Sequence, residues 1–330
     1  MTLPYLDAFN RAADPQNPSQ VWISPYTVPP STGEHQFVLF LKPEATAVHE
    51  GVQLARILEL VFERLDAFGV TLHAGRALPA AYLEAHAVMD NHYGVINRIS
   101  KQGVAALTDD ARAKLEEHFA EALAAGARVL GGQQFLAEQP SFSALALSTL
   151  NDNLGTTKLG GGSYAMPLNL LGQRYILLNP FHAYQLVPYT TPGRAILVFE
   201  GRSTRDWAEL RGKLTGSTDP AKAEPGSIRA ALRVSKEALG LKEVSQGMNG
   251  IHLSAGPLEG MVELKRFFSD PEAGQTLDWS DLAFGRALAA KGLDPDALAQ
   301  NPDLERGGRA VSAFDLTEEC NAADALGLLA

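Results

Sequence analysis

His252 sits in the run Asn249-Gly250-Ile251-His252, between a short apolar segment and a helix start, and Glu263 follows eleven residues later. A neutral imidazole carries a proton on one nitrogen and a lone pair on the other, and only the second can attack an electrophile such as phosphorus. A carboxylate that accepts the N–H selects the tautomer and stabilises the cation that develops during transfer. Glu263 lies on a helix expected over Pro257–Phe268, whose early turns would pack beside the histidine. Pro257 suits a first helical turn, and the unpaired N–H groups there favour nearby phosphate. In isolation the pair reads as an ordinary buried or surface contact, so the elements around it must decide.

Upstream, the apolar run Gln36-Phe37-Val38-Leu39-Phe40-Leu41 ends in Lys42-Pro43-Glu44. A cation at the end of a buried strand either snorkels to water or meets an anion. Gly216-Ser217-Thr218-Asp219-Pro220 and Pro225-Gly226-Ser227-Ile228-Arg229 come next, ahead of Asn249, His252 and Ser254. Taken singly, Thr218 and Asn249 read as turn residues, Ser254 as a helix cap and Arg229 as half of a surface ion pair. An arginine fork is also suited to phosphate oxygens, which accept its paired hydrogen bonds.

Taken in order, strand-Lys-Pro, Gly-x-Thr-Asp-Pro, Pro-Gly-Ser-Ile-Arg, Asn-x-x-His-x-Ser and Glu resemble the nucleoside diphosphate kinase family. The match covers Pro192 to Phe268, with a second patch from Phe37 to about His92. The resemblance implies an α+β fold: a ferredoxin-like four-stranded antiparallel sheet covered by helices, here with an inserted subdomain. It also implies a phosphotransferase that moves the γ-phosphoryl group of ATP through a phosphohistidine. His252 would be the acceptor, Glu263 its orienting partner, and Lys42 a contact to the transferred phosphate or the ribose hydroxyl. Thr218 and Arg229 would hold the phosphate chain, Asn249 the sugar and phosphate, and Ser254 the Glu263 carboxylate. Mg2+ is expected with ATP, held mainly by phosphate and water, so no protein metal motif is anticipated.

Departures from the family pattern are equally legible. The family's second arginine, six residues before the threonine, falls on Gly212, flanked by Arg211 and Lys213; Arg211 is the expected substitute. The segment between Arg229 and Asn249 is longer than in the compact form, and the base-stacking phenylalanine has no secure counterpart. Tyr93 is the expected active-site tyrosine. A rebuilt acceptor pocket keeps open a nucleoside diphosphate or another small phosphorylated or hydroxylated acceptor. The missing arginine keeps open a nucleotide-binding regulatory protein without turnover.

The 330 residues, 45% hydrophobic and 20% charged, describe an ordinary globular chain able to bury a large core. A net charge of −10 with no basic run excludes nucleic-acid binding through the phosphate backbone. One cysteine, Cys320, excludes an internal disulfide and a cysteine-based zinc cluster. The start of the chain lacks a basic segment followed by an apolar one, and no run of about 18 apolar residues occurs. A soluble protein of the cytoplasm, without membrane partners, is the expectation.

Prolines at 4, 15, 18, 25, 29 and 30 predict an irregular arm over 1–35. Expected in the core, 36–98 with 194–268, are strands over Phe37–Lys42, Val70–Ala74 and Ala195–Phe199 and helices over Val52–Phe68 and Pro79–Met89. The insertion 99–193 is too long and too apolar for a linker and reads as a subdomain or lid. Within it, Thr108 or Asp109 would cap a helix to Ala125, and Arg174–Leu178 would form a strand. Gly155 to Ser163 reads as a flexible loop, since the Gly-x-x-x-x-Gly-Lys-Ser/Thr pattern is absent. The extension 269–330 is predicted to form short helices that cover the sheet or join subunits. The family's trimers and hexamers make a homo-oligomer the expectation unless arm, insertion and tail block those contacts.

Overall fold

The computed structural model describes residues 2–30, 33–160, 162–307 and 309–330. The chain forms two compact units, residues 1–88 with 191–330, and residues 89–190.

The first unit holds strands β1 (Val21–Ser24), β2 (His35–Leu41), β3 (Thr71–Pro79), β8 (Ala195–Ser203) and β9 (Ile251–Leu253), numbered in chain order with β4 to β7 in the second unit. They make one antiparallel sheet in the order β1-β3-β8-β2-β9. Without β1, this is the ferredoxin-like arrangement of strand–helix–strand, strand–helix–strand. The two crossover helices are Leu54–Ala67 and Ile228–Val234. Ile57, Leu58, Val61 and Leu65 recur at helical spacing and share one core with Ile228, Leu232 and the inward residues of β2, Phe37, Leu39 and Leu41. All seven residues of β2 are buried, because helix Pro257–Phe268 covers its other face, where Phe40 meets Phe267 at 5.4 Å between ring centroids. A strand covered on both faces reads as the continuous apolar run that the sequence displays.

The N-terminal arm is more regular than its prolines predict. Leu3–Ala12 is a helix, with Pro4 in the first turn, where its missing N–H costs nothing, and no other proline before 15. Ala8, Phe9 and Ala12 enter the main core, and β1 adds a fifth strand beside β3. Arg76 fastens this edge. Fully buried on β3, it donates to the Phe267 and Ser269 carbonyls at 2.9 and 2.8 Å and stacks its guanidinium 4.2 Å from the Trp22 ring. Trp22 and Gln20 in turn donate to Asp270 at 3.1 and 2.8 Å. Arm and C-terminal extension thus meet on one buried cation.

In the second unit, β4 (Arg128–Gly131), β5 (Thr157–Gly160), β6 (Ser163–Leu170) and β7 (Gln173–Leu178) form a separate sheet, β4-β7-β6-β5, with only the β4–β7 pair parallel. Helices lie on both faces, one core gathering Ile99, Leu107, Leu115 and Ile176, the other Phe135, Leu147, Met166 and Leu177. Thr108 caps the helix Asp109–His118 through the Ala111 N–H. The stretch Gly155 to Ser163, read as a loop, instead contains β5 and the start of β6; Gly161 lies outside the described residues. This unit begins at residue 89, ten residues before the boundary drawn from sequence, because helix Gly94–Gln102 packs Val95 as well as Ile99 against the core of the unit.

The extension after Phe268 carries helices Ala283–Ala290, Pro295–Ala299, Ala313–Thr317 and Ala322–Leu329 and a hairpin of β10 (Asp303–Arg306) with β11 (Arg309–Ser312). Among the described residues, no helix is long and apolar enough to cross a membrane.

Phe9 is 3% exposed and sits where the arm meets the main core. Phe9→Ala is expected to destabilise the first unit by about 3–4 kcal/mol, from lost transfer energy plus the cavity left behind. Urea denaturation followed by tryptophan fluorescence reads this; a loss below about 1 kcal/mol would mean that the arm helix is only loosely held.

Candidate functional site

Register places the chemistry. In the β2–β9 ladder Phe40 stands opposite His252, and the Lys42 N–H donates to the Gly250 carbonyl at 3.0 Å. Side chains alternate along a strand, so Phe40 and Lys42 project to the face that carries His252. The imidazole stacks on Phe40 with centroids 4.6 Å apart and planes 20° from parallel. Gly250 has a φ of +77, and a Cβ there would come within 2.7 Å of Leu232. The turn into β9 therefore requires glycine. Glu44 secures that turn by accepting the Gly250 N–H at 3.0 Å.

His252 Nε2 stands 2.8 Å from Glu263 Oε1. The carboxylate is fully buried, and its other oxygen accepts the Ser254 hydroxyl at 2.5 Å. Ser254 Oγ itself accepts the Val38 N–H at 2.9 Å, which directs its one proton toward Glu263. The arrangement puts the imidazole proton on Nε2 and the lone pair on Nδ1. Burial lowers the His252 pKa; Glu263 opposes that shift, and the charges of Arg211 and Lys42 reinforce it. The ring is therefore neutral, and nucleophilic, at pH 7.

Lys42 is 8% exposed, and burial brings its pKa down to about 8, with Glu44 raising it and Arg229 lowering it further. Among the described residues, no hydrogen bond or ion pair meets its ammonium. A buried cation in this condition is costly unless an anion joins it.

Thr218, Arg229 and Arg211 line one cleft of about 450 Å³, together with Gly216, Ser217 and Lys222. Arg229 is buried and spans the cleft wall, donating to the Gly216 carbonyl at 2.7 Å and the Ile251 carbonyl at 3.0 Å. Arg211 donates to the Leu253 carbonyl at 2.8 Å. The two arginines thus grip the backbone on either side of His252. Leu210–Thr215 is wound as a π-helix, with the Gly216 N–H reaching the Arg211 carbonyl at 3.0 Å. A π turn holds more residues than an α turn, so Arg211 reaches the cleft from one position farther than the family spacing. Gly212 has only open space around it.

Asn249 is buried, and its amide N–H groups go to the Thr218 and Gln246 carbonyls, both at 3.2 Å, so it ties the loop together. Tyr93 belongs to the second unit, where its ring packs edge-on against His182 and its hydroxyl lies 3.4 Å from that of Tyr189. Three carboxylates line the cleft that sequence reasoning left out: Glu224, Glu318 and Glu319. The last two come from the extension, where nothing in the local pattern signals chemistry. Glu259, one helical turn before Glu263, was also passed over; burial and the neighbouring Glu263 push its pKa up to about 8.

No family model matches the chain. Comparison with characterised proteins finds nucleoside diphosphate kinase 2, chloroplastic, of Spinacia oleracea, 32% identical over 123 residues, which is 37% of this chain and 47% of that protein. Nucleoside diphosphate kinase 3 of the same plant is 36% identical over 95 residues, 28% of this chain and 53% of that protein. The chain is a divergent relative of the nucleoside diphosphate kinases. This relative spans about half the length of the characterised kinases it matches. Among solved structures, an NDP kinase from Pyrobaculum aerophilum aligns at 18% identity and a TM-score of 0.36, covering 74% of this chain and 100% of that one.

Ser254→Ala would leave Glu263 Oε2 and the Val38 N–H buried without their hydroxyl. The expected cost is about 1–3 kcal/mol. Thermal and urea unfolding of the variant measure it, and an unchanged midpoint would show that the hydroxyl bridge carries no weight.

Proposed function

We propose that this chain is a phosphotransferase that takes the γ-phosphoryl group of ATP onto His252 and passes it to a nucleoside diphosphate. The observation that carries this reading is the buried Glu263 carboxylate 2.8 Å from His252 Nε2, on a ring whose pKa is lowered by burial. In the first half-reaction the Nδ1 lone pair attacks the γ-phosphorus. The bond from that phosphorus to the β–γ bridging oxygen breaks, and ADP leaves with the electron pair. Phosphorylation makes the ring cationic, and Glu263, oriented by Ser254, stabilises that charge from the far side. The acceptor diphosphate then attacks the same phosphorus, the N–P bond breaks, and its electrons restore neutral imidazole.

Lys42 fits the transferred group: a buried ammonium without an internal partner pairs with equatorial phosphate oxygens and offsets their charge. Arg211, Arg229 and the Thr218 hydroxyl suit the remaining phosphates. Beside the carboxylates of Glu224, Glu318 and Glu319, the cleft offers cationic and hydroxylic donors, which fits a nucleotide arriving with Mg2+ already on its own phosphate oxygens and water. The ion would supply charge neutralisation during transfer, while the side chains position the chain of phosphates.

Incubation with γ-labelled ATP and magnesium is expected to give an acid-labile, base-stable phosphoprotein, absent from His252→Ala. The label should leave when nucleoside diphosphates are added. A label that persists against every diphosphate excludes that acceptor class, and no label at all excludes the phosphohistidine.

A second outcome follows from Lys42, whose ammonium loses its proton as pH rises through about 8. Affinity for a non-hydrolysable ATP analogue, which keeps the γ-phosphate that Lys42 would meet, should fall several-fold between pH 7 and pH 9 when measured by calorimetry. In Lys42→Arg, where the charge persists, that fall should vanish; an equal fall in both proteins would remove Lys42 from phosphate binding.

A further inference from the structure

The cleft that holds Arg211 also receives two consecutive carboxylates from the C-terminal extension. Glu318 Oε1 lies 3.6 Å from Arg211 Nη2, and Glu319 Oε1 lies 3.9 Å from Arg211 Nε. Successive side chains of an extended segment point to opposite sides. Here the left-handed backbone at Glu319, φ +58, turns the chain so that both reach one guanidinium.

The backbone of this corner is fixed. The Glu319 N–H donates to the Ala255 carbonyl at 2.8 Å, in the loop that leads from His252 into helix Pro257–Phe268. The Thr317 carbonyl packs so closely on Gly256 that a Cβ there would lie 2.3 Å from it. Asn321 accepts the Trp207 N–H at 3.0 Å and donates to Asp206 at 2.9 Å, which docks the same corner on the helical segment that carries Arg211.

The carboxylates themselves are not fixed. Their side chains are 48% and 51% exposed, and both contacts are longer than a hydrogen bond. Such pairs are weak and displaceable, each shifting an equilibrium by up to about fivefold, and salt screens them. A rigid anchor that presents loosely held anions to a phosphate-facing arginine is the geometry of an intramolecular competitor.

We propose that Glu318 and Glu319 are a tethered competitor for Arg211, occupying the guanidinium until the phosphates of a nucleotide displace them. This rests on the reading of the cleft as a phosphate site. The competitor lowers affinity for every phosphate ligand by the same route, so it sets the concentration at which the site fills.

The test is a cycle of four proteins titrated calorimetrically with ADP and magnesium at low and high salt: the natural chain, Glu318→Gln/Glu319→Gln, Arg211→Gln, and the triple variant. The double variant should bind ADP about five- to tenfold more tightly at low salt, with most of the gain gone at high salt. In the Arg211→Gln background the gain should disappear, which separates occupation of the arginine from general repulsion. Equal affinity of the natural chain and the double variant overturns the competitor while leaving the phosphate site standing. A gain that persists without Arg211 also overturns it. Absence of ADP binding in all four proteins overturns both the competitor and the phosphate reading of the cleft.

Discussion

The buried carboxylate of Glu263 is the constraint around which the site is arranged. A carboxyl group with no solvent exposure depends on polar neighbours, and here the Ser254 hydroxyl bonds one oxygen while the His252 ring nitrogen stands 2.8 Å from the other. Ser254 answers the first need only because β9 pairs with β2, which brings the Val38 N–H to its oxygen. His252 answers the second because it lies two residues earlier on the same strand face, stacked on Phe40. Remove any of these and the carboxyl loses a neighbour that fixes its position beside the imidazole.

A second layer holds the backbone on which this depends. Arg211 and Arg229 grip the carbonyls on either side of His252, and Glu44 ties the Gly250 turn. The cations that line the cleft therefore also brace the strand that carries His252.

Much of this was legible in the chain because it is local or periodic. The juxtaposition of His252, Ser254 and Glu263 spans one strand and the first turns of the next helix. The crossover helix announces itself through Leu54, Ile57, Leu58, Val61 and Leu65. What stayed hidden depends on long-range packing or unusual winding. Nothing in Leu210–Thr215 signals a π turn, so the sequence offers Arg211 as the substitute arginine without the winding that carries it to the cleft. Glu318 and Glu319 reach the cleft across about a hundred positions of sequence, beyond any local pattern. In the arm, the placement of prolines outweighs their number: one at a helix start and none in the following turns permits the helix that forms. In the glycine-rich stretch of the second unit, composition argued for a loop, and strand pairing with β6 overrode it.

The added strand β1 has a consequence for how the molecule behaves in company. An open sheet is a template at both margins, and a long bare margin invites pairing with another chain. With β3 covered by β1, the far margin is β9, three residues long and braced by two arginines. The arm thus replaces the nine-residue margin of β3 by the four-residue margin of β1, which leaves less open backbone on which a neighbouring sheet could grow.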